Sequence, residues 1–303
     1  MSRSGKRPEI RLYKGFGSKN KAIIMGHLFK SKQFNKSKVS KNIFRNALEM
    51  YKRYKVRPWK GIDIVIQIGE EKYKVKTDRS GYFDLIFNPR KGKNGQIEFW
   101  VYLDSDQDVH ASGKLSVIDP SEIFISDFDD TIVVSHSTNP LRKIYTLLSR
   151  NHERRKPVER ASQLYHRLYH SNQEQLFIYV SSSEWNLYDF INAFCEFNKL
   201  PGGYFLLQDL KSGLRDLLKS GGGSHSHKYD KILLVSEIFD SAKITLIGDS
   251  GQKDPKIYEK VAESYPDRIK NIYIRSIKSR KQYKLEAMKK RMEKIGVKMN
   301  YFE

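Results

Sequence analysis

The sequence predicts an α/β protein: a doubly wound parallel sheet preceded by a small antiparallel β-sandwich. Three observations support this. The first third of the chain is a series of short apolar or alternating runs separated by turn residues. From about residue 120, short apolar strands alternate with helical segments, the signature of a parallel sheet. The length of 303 residues suits two domains, and Asp119-Pro120-Ser121 marks their boundary. The expected division is a sandwich domain over 1–119 and a parallel-sheet domain over 120–303.

In the first domain, residues 22–29, 62–68 (IDIVIQI), 72–77, 82–87, 96–103 and 113–117 read as strands, with turns at 78–81 (DRSG) and 88–92 (NPRKG). Their regular spacing suggests a sandwich. One segment departs from the pattern. In KNIFRNALEMYKRYK, Ile43, Ala47, Tyr51 and Tyr54 recur at helical spacing, which predicts a helix with a basic outer face. In the second domain the strands fall at 123–125, 176–180, 204–207, 244–247 and 272–274. Helices fall around 158–170, 185–198, 228–239, 255–264 and 280–294. The Gly/Ser stretch at 220–224 reads as a flexible loop and lacks the GK[ST] ending of a phosphate-cradling P-loop.

Composition narrows the function classes. The chain carries 56 Lys+Arg against 35 Asp+Glu, a net charge of +21, with 39% hydrophobic residues. Wholesale disorder is therefore not expected. The longest unbroken apolar runs are five residues (176–180 and 99–103), against the roughly 20 a transmembrane helix needs. Basic residues in MSRSGKRPEI have no apolar stretch behind them, so no secretory signal is expected. The single cysteine, Cys195, excludes an internal disulfide framework and a multi-Cys zinc site. A cytoplasmic setting is the expectation. Residues 1–60 hold 18 Lys+Arg against Glu9 and Glu49, and the stretch from Arg275 to Lys298 holds ten against Glu286 and Glu293. Such a balance favours polyanionic partners or a solvated surface.

The chemistry-bearing residues follow the predicted strands of the second domain. Asp127-Phe128-Asp129-Asp130-Thr131 follows the first. Two carboxylates two residues apart can divide the work of phosphoryl transfer. Asp127 can attack phosphorus, and Asp129 can protonate the departing oxygen and then deprotonate water. A carboxylate attacking a phosphate needs a divalent cation to offset their repulsion. The plainer alternative is a polar turn with Asp130 or Thr131 capping a helix. Ser181-Ser182-Ser183 follows the second strand and suits phosphoryl oxygens, or caps the helical segment after it. Lys228 opens a helical run and offers positive charge to the same phosphate, or to solvent. Gly248-Asp249-Ser250-Gly251-Gln252-Lys253-Asp254 follows the fourth strand. It fits a Mg2+ site, or a helix start capped by Asp254 before Pro255.

These residues resemble the haloacid dehalogenase superfamily, and within it the phosphatidate phosphatases of the actin-patch-protein type, related to lipins. The resemblance rests on the strings ISDFDDT (125–131), YVSSSEWNLY (179–188), LPGG (200–203), His227-Lys228 and GDSGQKDPKIY (248–258). It extends more weakly to KGFG (14–17) and residues 78–83. Phe128 and Glu184 depart from the family's usual isoleucine and proline.

The resemblance implies that Asp127 is nucleophile and metal ligand, and that Asp129 is the general acid/base with its carbonyl on Mg2+. Asp249 would be a direct or water-mediated ligand, with Asp254 steadying the metal site or Lys228. Thr131, Ser181, Ser182 and Lys228 would hold phosphoryl oxygens. The implied substrate is phosphatidate, or another phosphomonoester, and a non-catalytic phosphatidate-binding module is the further alternative. Residues 133–157 place Leu141, Ile144, Tyr145 and Leu148 on one helical face among basic residues. This suits a phosphate headgroup whose acyl chains stay in a membrane, or an ordinary helix covering the sheet edge; peripheral contact with an anionic membrane surface is the expectation, with no nucleic-acid partner. The sequence leaves the oligomeric state open.

Overall fold

The computed structural model describes residues 7–30, 57–89, 95–128, 159–170, 175–208, 226–251, 253–276 and 282–302. The basic helix expected around 43–54, the amphipathic segment 133–157, the loop at 220–224, and Asp129, Asp130 and Thr131 lie outside these residues. The chain divides into two compact units, one containing residues up to Asp119 and the other starting at Pro120. One unit carries a mixed sheet and the other a parallel sheet with helices, so the chain is α/β.

The first unit contains β1 (Glu9–Leu12), β2 (Gly15–Gly17), β3 (Ala22–Phe29), β4 (Asp63–Ile68), β5 (Glu71–Lys76), β6 (Tyr82–Phe87), β7 (Gly95–Leu103) and β8 (His110–Val117). These strands form one connected sheet in the order β1-β3-β2-β8-β7-β4-β5, with β6 on the other edge of β3. The sequence suggests a small antiparallel sandwich, whereas this sheet is mixed. The difference arises at β2, a GFG triplet with too few side chains to register as a strand. It runs antiparallel to β3 and parallel to β8, joining two groups of strands into one sheet.

Alternating side chains build the core. In β5, EKYKVK, the lysines point outward while Tyr73 and Val75 are less exposed. Ile24, Leu28, Ile64, Ile66, Phe83, Phe99, Val101 and Leu115 are buried together. The tight turn before β6 follows from its residues. The Asp78 carboxylate accepts from Ser80 N–H at 2.7 Å, Ser80 Oγ at 2.8 Å and Tyr82 N–H at 2.9 Å. Gly81 then takes φ +74°, where a Cβ would meet the Leu28 carbonyl oxygen at 2.6 Å.

The second unit contains β9 (Glu122–Asp127), β10 (Gln175–Glu184), β11 (Gly203–Gln208), β12 (Lys243–Asp249), β13 (Ile269–Arg275) and β14 (Lys298–Phe302). Its helices are α1 (Glu159–His170), α2 (Tyr188–Phe197), α3 (Ser226–Ile238), α4 (Asp254–Ser264) and α5 (Gln282–Lys294), with a 3-10 turn at Trp185–Leu187. The strand order is β11-β10-β9-β12-β13-β14, and every pairing is parallel. Central β9 is buried along its whole length, as expected of a strand covered on both faces. Its one acidic residue besides Asp127 is matched: Glu122 accepts from Thr245 Oγ1 at 2.7 Å and pairs with Lys270 Nζ at 2.7 Å. Order reverses between β9 and β12, because β10 leads away to one side and β12 starts the other. Such a reversal leaves a crevice at the strands' carboxyl ends. Among the described residues, no helix is long and apolar enough to cross a membrane.

One buried histidine gives the first unit a pH response. His27 Nδ1 lies 3.0 Å from Tyr13 Oη, and its ring stacks on Phe29 and meets Tyr82 edge-on. Burial, and then the charge of Arg11, push its pKa from 6.5 down to about 3. Between those values the unfolded chain binds a proton at this site that the folded chain does not. Stability therefore falls as pH drops through that window, by up to about 1.4 kcal/mol per pH unit. Urea unfolding over this range should show a steeper acid loss for the wild type than for His27→Gln. Equal slopes would remove the role assigned to His27.

Candidate active site

The carboxyl ends of β9 and β12 bring three aspartates together. Asp127, Asp249 and Asp254 each have an oxygen within 4.8 Å of the others, and all three are buried. Register explains the placement. Ile247 pairs with Ser126 and Val180 pairs with Asp127. Asp127 thus ends its strand beside β12, and Ser181 is the next residue along β10. Asp249 is the last residue of β12, and its Oδ1 accepts from Gly251 N–H at 2.6 Å.

Lys228, in the first turn of α3, enters this cluster. Its Nζ lies 2.9 Å from Asp127 Oδ1 and also pairs with Asp254 Oδ1, with the lysine side chain only 10% exposed. Burial works to lower the ammonium's pKa, but the charges and hydrogen bonds of Asp127 and Asp254 outweigh it and raise the pKa. The lysine stays charged. Lys228 thus lies among the aspartates rather than in solvent.

Asp254 also turns toward this cluster. It is the first residue of α4, whose cap position is Lys253 with no side-chain cap bond. Its carboxylate instead accepts from Lys228 and, at 3.3 Å, from Asp249 N–H. A helix-capping aspartate would have turned back onto its own helix. This one reaches out of α4 toward the neighbouring strand.

Further residues build the site around these. A Cβ on Gly248 would lie 2.6 Å from Asp254 Oδ2 and 2.8 Å from Tyr258 Cε2, so only glycine lets α4 sit this close to β12. Tyr258 Oη donates to the Ile247 carbonyl at 2.9 Å, tying α4 to the same strand. Behind Asp127, Ser126 Oγ donates to the Asp127 carbonyl at 2.7 Å and shares a hydrogen bond with Tyr165 of α1. Gly248 had a sequence signal in its place before a strand-end aspartate; the two tyrosines had none beyond helical periodicity.

The serines are differently arranged from the sequence reading. β10 continues through them to Glu184, where the sequence suggests an end at Val180. Its register with β11 shifts between Val180 and Glu184, an irregularity common beside active sites. Ser181 Oγ accepts from Ser183 N–H at 2.9 Å. Ser181 and Ser183 are buried and Ser182 is partly exposed. Asp129 and Thr131 are outside the described residues.

The donor set suits a hard cation. Among the described residues, three buried carboxylates and the Lys228 ammonium lie together, and the carboxylate oxygens are close enough to one another to share a cation. All the candidate ligands are oxygens, as Mg2+ or Ca2+ prefers. Asp127, Asp249 and Asp254 are the residues that could hold such an ion.

Residues 123–276 match the family model described as phosphatidate phosphatase APP1, catalytic domain. The chain belongs to this family. It is 30% identical over 154 residues to phosphatidate phosphatase APP1 of Saccharomyces cerevisiae, covering 50% of this chain and 25% of the yeast protein. An uncharacterized protein of Schizosaccharomyces pombe is 26% identical over 218 residues, covering 68% of this chain and 35% of its own. The match thus spans about a third or less of these relatives. Among solved structures, a carbohydrate acetylesterase of Xanthomonas citri aligns over 97% of this chain and 68% of its own, at 7% identity and a TM-score of 0.35. All the described site residues lie inside the family match.

The close approach at Gly248 is testable. Gly248→Ala should push Asp254 away and lower divalent-cation affinity by about 10–100-fold, the range for loss of a residue that orients ligands. Calorimetric titration of the folded variant reads this directly. Unchanged affinity would mean that α4 can shift without disturbing the cluster.

Proposed function

We propose that this chain is a Mg2+-dependent phosphatase that hydrolyses phosphatidate to diacylglycerol and phosphate. The observation that carries this reading is the buried Asp127–Asp249–Asp254 cluster with Lys228 inside it, at the crevice of a parallel sheet, in a chain of the APP1 catalytic-domain family. The strand order supports reading residues 120–303 as a doubly wound, haloacid dehalogenase-like domain, since it follows the 3-2-1-4-5-6 pattern of such sheets. Residues 1–119 we read as a separate β domain, for which a sandwich remains our proposal.

In the proposed reaction Asp127 attacks phosphorus. The bond from phosphorus to the glycerol oxygen breaks, and an aspartyl-phosphate forms. Asp129, two residues on, gives its proton to the departing oxygen of diacylglycerol. It then takes a proton from water as that water attacks phosphorus and releases phosphate, restoring Asp127. Bound at Asp127, Asp249 and the Asp129 carbonyl, Mg2+ would offset the charge of the phosphoryl oxygens. Lys228 fixes the rotation of the Asp127 carboxylate through Oδ1 and adds positive charge where the phosphate must sit. Ser181, Ser182 and Thr131 are proposed to hold the phosphoryl oxygens. A peripheral, cytoplasmic enzyme attracted to anionic membranes by its +21 charge fits this substrate.

Phosphate release by the purified chain with Mg2+ tests the substrate. Activity on phosphatidate in anionic vesicles should exceed that on 3′-phosphorylated oligonucleotides. The reverse order would move the same chemistry to another phosphomonoester, and no release from phosphatidate or an aryl phosphate would leave a binding module. Asp127→Asn should lower turnover by at least about 10³-fold, because an amide is a poor nucleophile. Chelation with EDTA should abolish activity and added Mg2+ restore it. Persistent turnover after chelation would contradict the role given to the metal.

A further inference from the structure

We propose that the groove between α4 and α5 holds one acyl chain of the phosphatidate whose phosphate reacts at Asp127, an inference that rests on the substrate reading above. The groove encloses about 470 Å3, within the roughly 300–1,000 Å3 typical of small-ligand sites. Its floor is hydrocarbon, formed by the buried side chains of Leu285 and Met288. Exposed Lys253, Lys256 and Lys284 stand along its rim. At one end Arg291 Nε donates to Glu259 Oε1 at 2.6 Å, linking the two helices.

The position of the groove is as informative as its lining. Ser250, which lines it, directly follows Asp249 of the metal-competent cluster. Helix α4 leaves the carboxyl end of β12, and α5 follows β13 in the chain. Both helices therefore begin at the carboxyl end of the parallel sheet, the end where Asp127 lies. An apolar floor with a basic rim complements an amphiphile with a hydrocarbon tail and an anionic head. A small polar phosphate ester would leave that floor unused, which is why the occupant is assigned as an acyl chain.

Ala287, an exposed lining residue, offers a way to fill the groove. In Ala287→Trp the ratio of kcat/KM for dioleoyl over dibutyryl phosphatidate should fall at least about tenfold, roughly the effect of expelling two methylenes into water. An unchanged ratio would overturn the proposal. A second measurement needs no variant: wild-type protein is photolabelled with a phosphatidate carrying a diazirine in its acyl chain. Adducts mapped by mass spectrometry should fall on α4 and α5, and their absence there would also overturn it. Failure of the substrate reading looks different. The wild type would then release phosphate from an aryl phosphate but from neither phosphatidate, and the photolabelling alone would decide whether the groove binds acyl chains.

Discussion

Three carboxylates buried within 4.8 Å of one another are an unstable arrangement unless something positive joins them. Lys228 supplies part of that charge, and the geometry around it follows from this need. Its ammonium reaches two of the aspartates at once, so α3 must begin close to the ends of β9 and α4. Helix α4 must in turn press against β12, which the bare backbone of Gly248 permits and the Tyr258 hydroxyl secures. The same three carboxylates could also hold a cation.

Much of the parallel-sheet unit was legible because its signals are local. The apolar cores of β9, β10 and β12 stand out in sequence, and each is followed by residues with recognisable chemistry. The partners of Lys228 were not legible in the same way. Asp127 is 101 residues away and Asp254 is 26, and no periodicity links such positions. The resemblance supplied the grouping; register and helix packing give its physical cause. The sequence suggests an end of β10 at Val180 because the apolar run stops there, whereas the strand continues through Ser181–Ser183 and pairs with β11 again at Glu184. β1, β2 and β14 lack a strand signal for another reason. EIRL, GFG and KMNYF are too short or too polar to show a strand pattern, and pairing with established neighbours makes them strands.

The basic charge divides into parts with different meanings. On β5 the outward lysines Lys74 and Lys76 face Asp104 and Asp63 across the sheet surface. Pairs this exposed contribute little to stability, and they account for some of the excess as ordinary solvated surface. The lysines of α4 and α5 differ because they surround apolar floor. There the same residue type has something to complement.

Central placement of β9 has a consequence for how the protein is made. This strand pairs with β10 on one side and with β12 on the other, and β12 begins 121 residues after β9 does, at Lys243 against Glu122. During synthesis one edge of a wholly buried strand must therefore wait for a distant segment. Long-range parallel pairing of this kind forms slowly, and an open apolar edge invites pairing with another chain. The arrangement that puts Asp127 beside Asp249 thus also defines the interval in which the nascent chain is most exposed to aggregation.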